Sequence, residues 1–157
     1  MELSKVVIIG FGNILFKDEG VGCWVAQELQ KRHLPPGVEV IDGGTASLDL
    51  LLDGKKIRKI IIIDALKGEG KPGTLYKVPI DELIQRESLP FSLHQFDLLR
   101  TLWLMKHENP CCKEVVLIGV EPDEIQWGLG LSESIQERLS EIIALILKEV
   151  EYACNGV

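Results

Sequence analysis

Lys59-Ile60-Ile61-Ile62-Ile63-Asp64 decides the fold. Four β-branched residues in a row leave no polar side, so the segment reads as a strand covered on both faces. Working outward, Lys5 to Gly10 and Glu114 to Val120 are strands of the same kind. Amphipathic stretches separate them. Asp18 to His33 reads as a helix: Val21, Val25 and Leu29 recur at helical spacing, Gln27, Gln30 and Lys31 turn to water, and Asp18 suits the N-cap. Pro35-Pro36-Gly37 stops that helix. Val38 to Asp42 is a short strand, Gly43-Gly44-Thr45 a tight turn, and Ala46 to Leu52 a short helix closed by Gly54. Thr74 to Val78 is polar and alternating, which marks an edge or antiparallel strand. Asp81 to Gln85 supplies one helical turn. Ser92 to Lys106 is a helix opened by the capping box Ser92 and Gln95, and Ser132 to Ala153 is the last helix. This alternation predicts a three-layer α/β/α sandwich with a five-stranded, mostly parallel sheet, all within one domain spanning residues 1–157.

Composition narrows the function. The chain has 157 residues, with 17 Lys plus Arg against 24 Asp plus Glu and a net charge of −7. That balance argues against nucleic-acid binding, since no basic patch offsets it. No stretch approaches the roughly 18 apolar residues of a membrane span, so no membrane insertion is expected. The run Val6-Val7-Ile8-Ile9 ends in glycines without a cleavage pattern and reads as a strand, not a signal peptide. A cytoplasmic protein is expected. Cys23, Cys111, Cys112 and Cys154 have neither zinc-ligand nor disulfide-framework spacing, and read as reduced thiols.

Ligands of open α/β sheets bind beyond the carboxyl ends of the strands. Those ends carry Asn13, Asp18 and Glu19, then Asp42, then Asp64, then Glu121. Such an anionic rim suits a cation. Each acid also has a plainer reading: Glu19 is favoured in a first helical turn, and only Asp64, at the exit of an all-isoleucine strand, is costly unless paired or solvated in a cleft. His94 falls in the first turn of its helix, where the dipole favours neutral imidazole, the form that binds a metal. From the residues alone, the reading as a polar residue near a helix start is the favoured one. His33 and His107 end helices and read as solvated. Glu, Asp and His from three segments would make an oxygen/nitrogen site suited to nickel, zinc, iron or manganese. Gly10-Phe11-Gly12 suggests a dinucleotide loop but leaves its fingerprint incomplete, because Leu15 holds the place of the third glycine. Asp42 nevertheless sits where a ribose-binding acid would.

The order of these pieces resembles the nickel–iron hydrogenase maturation endopeptidases over nearly the whole chain. Gly10-Phe11-Gly12-Asn13-Ile14-Leu15 through Asp18-Glu19-Gly20-Val21-Gly22 resembles the family's G-x-G-N-x-L-x-x-D-D/E-G-x-G signature. Asp42-Gly43-Gly44-Thr45, Ile63-Asp64-Ala65, Pro72-Gly73-Thr74, Ser92-Leu93-His94-Gln95, Ile118 to Pro122 and Gly130-Leu131-Ser132 resemble its later segments, in order. The resemblance implies a mixed sheet of order 2-1-3-5-4 with the fourth strand antiparallel. It implies metal contacts at Glu19, Asp64 and His94, with Asp42 as a further catalytic acid.

The implied activity is that of an aspartyl-type or metal-dependent endopeptidase. It would remove the C-terminal extension of a hydrogenase large-subunit precursor after nickel insertion, the nickel being carried by the precursor. A monomer is the accompanying expectation. A nucleophile of the Ser or Cys type is not indicated: there is no G-x-S-x-G, and Cys23 has no histidine partner in sequence. Two other readings stay open, a nucleotide- or dinucleotide-binding domain and a non-catalytic nickel-site chaperone. Trp127, in the loop after the last strand, is the tryptophan best placed to meet a substrate.

Overall fold

The computed structural model describes residues 5–44, 56–85, 103–104, 106–108 and 112–155. Its strands are β1 (Lys5–Phe11), β2 (Val38–Gly44), β3 (Ile57–Ala65), β4 (Leu75–Pro79) and β5 (Glu114–Val120). The helices are α1 (Val21–Gln30), α2 (Ile80–Gln85) and α3 (Glu133–Asn155), with a 3-10 turn at Lys17–Gly20 before α1. Residues 103–104 and 106–108 are also helical. The sheet order is β2-β1-β3-β5-β4, with β4 antiparallel to β5 and the other pairs parallel.

Period-two alternation divides the core between two faces. Val6, Ile8, Ile61, Ile63, Val116 and Ile118 pack with α1 and α3, including Val25, Leu29, Ile142 and Ile146. Val7, Ile9, Ile60, Ile62, Val115 and Leu117 pack with Ile80 of α2 and with Trp103. The isoleucine run is buried because each successive residue meets a different helical layer, and each side chain so buried contributes about 2 kcal/mol relative to exposure. Lys59 shares the face of Ile61 and Ile63, yet is 4% exposed. Its Nζ lies 3.1 Å from Glu149 of α3 and 3.3 Å from Glu114, so its charge is paired.

Two local expectations change. The helix expected from Asp18 begins as a 3-10 turn and becomes α-helical only at Val21. Gly43 and Gly44, expected in a turn, extend β2. Gln30 is exposed as expected and Gln27 half-buried, and from the surface they also donate to Asp42 Oδ2 and the Val40 carbonyl of β2. The short helix at 46–52 and the capping box of Ser92 and Gln95 lie outside the described residues, as do Cys111 and His94.

Candidate active site

The chain leaves β1 toward β2 on one side and returns to β3 on the other, so the sheet's switch point lies between β1 and β3. Gly10 is in register with both Asp42 of β2 and Ile63 of β3. Asp42 and Asp64 therefore flank the end of β1 at nearly the same height.

The glycines of the opening motif bring Glu19 to this edge. Gly12 has φ +134°, and a Cβ there would stand 1.9 Å from the Glu19 carbonyl oxygen. A Cβ on Gly10 would stand 2.0 Å from the Gly22 oxygen. The chain thus folds back onto its own strand end, and the 3-10 turn carrying Glu19 packs against β3, which carries Asp64.

Each acid has a defined setting. Asp64 is 6% exposed, and its Oδ1 accepts from the Ala65 N–H at 2.8 Å. Asp42 is exposed; its Oδ2 accepts from Gln27 Nε2 at 2.9 Å and its Oδ1 from the Gly44 N–H at 3.2 Å. Cys23 lies between them on α1, donating to the Gly12 carbonyl at 3.3 Å. Burial pushes its thiol up, the charge and hydrogen bonding of Asp42 and the charge of Asp64 add to this, and the result is about 12 against an ordinary 9.0. Cys23 is therefore a protonated thiol at neutral pH, not a nucleophilic thiolate.

Two acids of the expected rim serve the fold instead. Asp18 is fully buried and accepts from four donors. The Asp123 and Glu124 N–H groups, both at 2.9 Å, and the Ser132 hydroxyl, at 2.6 Å, reach its Oδ2, and the Ser132 N–H reaches its Oδ1 at 2.8 Å. It is not an N-cap of its own helix; it ties the loop after β5 and the start of α3 to the 3-10 turn. Glu121 is buried as well, accepting from the Gly68 N–H and from the Tyr76 hydroxyl at 3.1 Å, which anchors the loop before β4.

Glu19, Asp42 and Asp64 thus gather at one edge, whereas His94 lies outside the described residues. Among the described residues no cluster of three His, Cys, Asp or Glu side chains is spaced to hold a metal ion. An Asp–Glu pair at a strand exit matches two oxygen donors of a site for a divalent transition metal, which a nitrogen donor would complete. Sequence reasoning missed Cys23 as a neighbour of this edge and Asp18 as its staple. The spacing of Cys23 on α1, one turn after Glu19, carries the first signal. The second has none, because Asp18 bonds to residues more than a hundred positions away.

A family model described as hydrogenase maturation protease matches residues 23–149. A candidate hydrogenase maturation protease of Methanocaldococcus jannaschii is 35% identical over 156 residues, covering 96% of this chain and 99% of that protein. The hydrogenase 2 maturation protease of Escherichia coli is 30% identical over 145 residues, covering 91% and 88%. The solved structure of the hydrogenase maturating endopeptidase HybD from E. coli superposes with a TM-score of 0.80 at 28% identity, covering 95% of this chain and 93% of that one.

Proposed function

This chain belongs to the hydrogenase maturation protease family and is an endopeptidase, and from that premise we propose that it removes the C-terminal extension of a nickel–iron hydrogenase large-subunit precursor once nickel has been inserted. The nickel belongs to the substrate. Glu19, Asp64 and His94 bind it and so position the scissile bond. The observation that carries this reading is the convergence at the β1/β3 switch point, where the close-packed glycines hold the turn bearing Glu19 against the strand bearing Asp64. Asp64 shares the strand face of Ile60 and Ile62, against which Trp103 packs, and His94 precedes Trp103 by nine residues in the sequence.

Asp42 is the general base. It is exposed, and hydrogen bonds from Gln27 and Gly44 fix its carboxylate. It takes a proton from water as the water oxygen bonds to the scissile carbonyl carbon. The C–N bond then breaks, and the leaving amine takes up the proton. Metal-assisted polarisation of that carbonyl by the precursor's nickel lowers the barrier further. Cys23, kept protonated, stays outside the bond-making steps.

The test is incubation of the protein with nickel-loaded precursor, followed by mass measurement. Loss of one C-terminal peptide is expected, with nickel-free precursor left intact. Normal shortening by Asp64→Ala protein would overturn the site, and efficient cutting of nickel-free precursor would overturn recognition through the metal. The cytoplasm is the proposed setting. No helix among the described residues is long and apolar enough to cross a membrane.

A further inference from the structure

Beside the candidate site, two segments distant in sequence are hydrogen-bonded into one lip. The Lys17 N–H donates to the Gly128 carbonyl at 3.0 Å, the Gly128 N–H to the Leu15 carbonyl at 2.8 Å, and the Asp18 N–H to the Glu124 carbonyl at 3.0 Å. The rings of Phe16 and Trp127 meet edge to face at 5.0 Å. Asp18 fastens the arrangement from below through the N–H groups of Asp123 and Glu124. What this framework presents is apolar. Trp127 is 73% exposed, Leu129 67%, Ile125 50% and Leu15 47%. Folding gains little from apolar groups left in water, and a contiguous patch of this kind marks a protein-binding surface.

We propose that this lip is the docking surface for the precursor polypeptide, gripping an apolar side chain flanked by basic residues on the precursor's folded body. The proposal rests on the processing reading above for the identity of its occupant. Two observations select that occupant. The first is continuity: the lip runs directly into the 3-10 turn, so a polypeptide seated on Leu15 and Trp127 reaches Glu19 within a few residues. The second is charge: residues 121–134 contain four acids and no Lys or Arg, and Asp123, Glu124 and Glu133 are exposed there. Lys17, lying against Gly128, is the one cation of the opposing segment 13–19. Aromatic anchors at the centre of an interface dominate its binding energy, so Trp127 is the residue whose loss weakens docking most.

The experiment measures binding and cutting separately, with nickel-loaded precursor as the probe. Binding is followed by sedimentation with Asp42→Asn protein, which keeps the three nickel-binding side chains and lacks the proposed base, so that it is expected to hold the precursor uncut; cutting is followed by mass. Trp127→Ser is expected to raise the half-saturating precursor concentration about tenfold or more, with less than a twofold fall in the rate at saturation. Leu129→Ser should act in the same direction, and Glu124→Gln should weaken binding and flatten its salt dependence. All three positions are exposed, and an unchanged thermal midpoint certifies the fold. Unchanged binding by both Trp127→Ser and Leu129→Ser would overturn the lip. So would a concentration-dependent dimer of this chain that Trp127→Ser abolishes while precursor binding persists. If the wild-type chain binds precursor through the lip but leaves it full length, the processing reading falls and the lip stands.

Discussion

The two edges of the sheet carry charge in opposite ways. Toward the amino ends of β3 and β5, Lys59 and Lys77 meet Glu114 and Glu149 at 2.8–3.3 Å, and two positive charges offset two negative ones. Glu19, Asp42 and Asp64 stand beyond the carboxyl ends of β1, β2 and β3, and beside them burial, aided by Asp42 and Asp64, holds the proton on Cys23. The first cluster is complete within the chain and serves the fold. The second brings acids to neighbouring strand ends, where a cation is the fitting ligand. Strand ends bordering a switch point are where that arrangement has a use.

This contrast predicts that substitutions at the two edges have separable effects. Asp64→Ala should lower the rate of precursor shortening about a thousandfold or more, while its denaturation midpoint shifts by only about 1 kcal/mol in stability. A large loss of stability in that variant would erase the distinction between the edges. Lys59→Met should do the reverse: it takes one of two cations from Glu149, which keeps Lys77, and costs about 1 kcal/mol, read by urea denaturation, with cutting retained at temperatures where the variant is folded.

The pH response should separate the edges as well. Burial alone would raise Glu149, but hydrogen bonds from Lys77 and Lys59 and their charges outweigh it and hold the carboxyl below its ordinary 4.5. Its contribution to stability is present above that unfolded value and is lost as pH falls through the lower folded value. Glu149→Gln should therefore flatten part of the acid limb of a stability–pH curve. Cys23 acts at the other extreme. Its folded value near 12 against 9.0 makes its contribution complete below pH 9.0 and lost progressively as pH rises toward about 12. Cys23→Ala should remove that alkaline slope, and at pH 8 the native thiol should resist alkylation until the protein is unfolded.

The smallest expected effect concerns backbone conformation. Lys17 has φ +50°, held by its N–H bond to Gly128, and a left-handed non-glycine residue costs about 1 kcal/mol. Lys17→Gly should change stability by less than that amount in either direction, because relief of strain is offset by chain entropy. A loss of several kcal/mol would mean that the lysine side chain, not the backbone, holds the lip.

Much of this architecture was legible because it is periodic. Ile60 to Ile63, Val6 to Ile9 and Val115 to Ile118 announce strands buried on both faces, and the polar Thr74 to Val78 announces the odd, antiparallel one. Strand-end reasoning listed Glu19, Asp42 and Asp64 among the rim acids and pressed hardest on Asp64, since a carboxylate after a strictly apolar strand needs a reason. It failed where the same letter carries two jobs. Asp18 and Glu19 are adjacent acids in one motif, yet Asp18 is a fully buried acceptor for four donors and Glu19 is only half-buried. Glu121 looked like a rim acid and is an anchor for the loop before β4.

By itself the sequence determined the sheet, its covered faces and the acids that end its strands, because those follow from side-chain periodicity along a local stretch. Tertiary structure alone decided which acids face inward and which gather at the switch point. It also decided that Leu15 and Trp127, over a hundred residues apart, form one exposed surface. Both outcomes depend on hydrogen bonds and close backbone approaches between distant segments, and no local pattern of residues encodes their pairing.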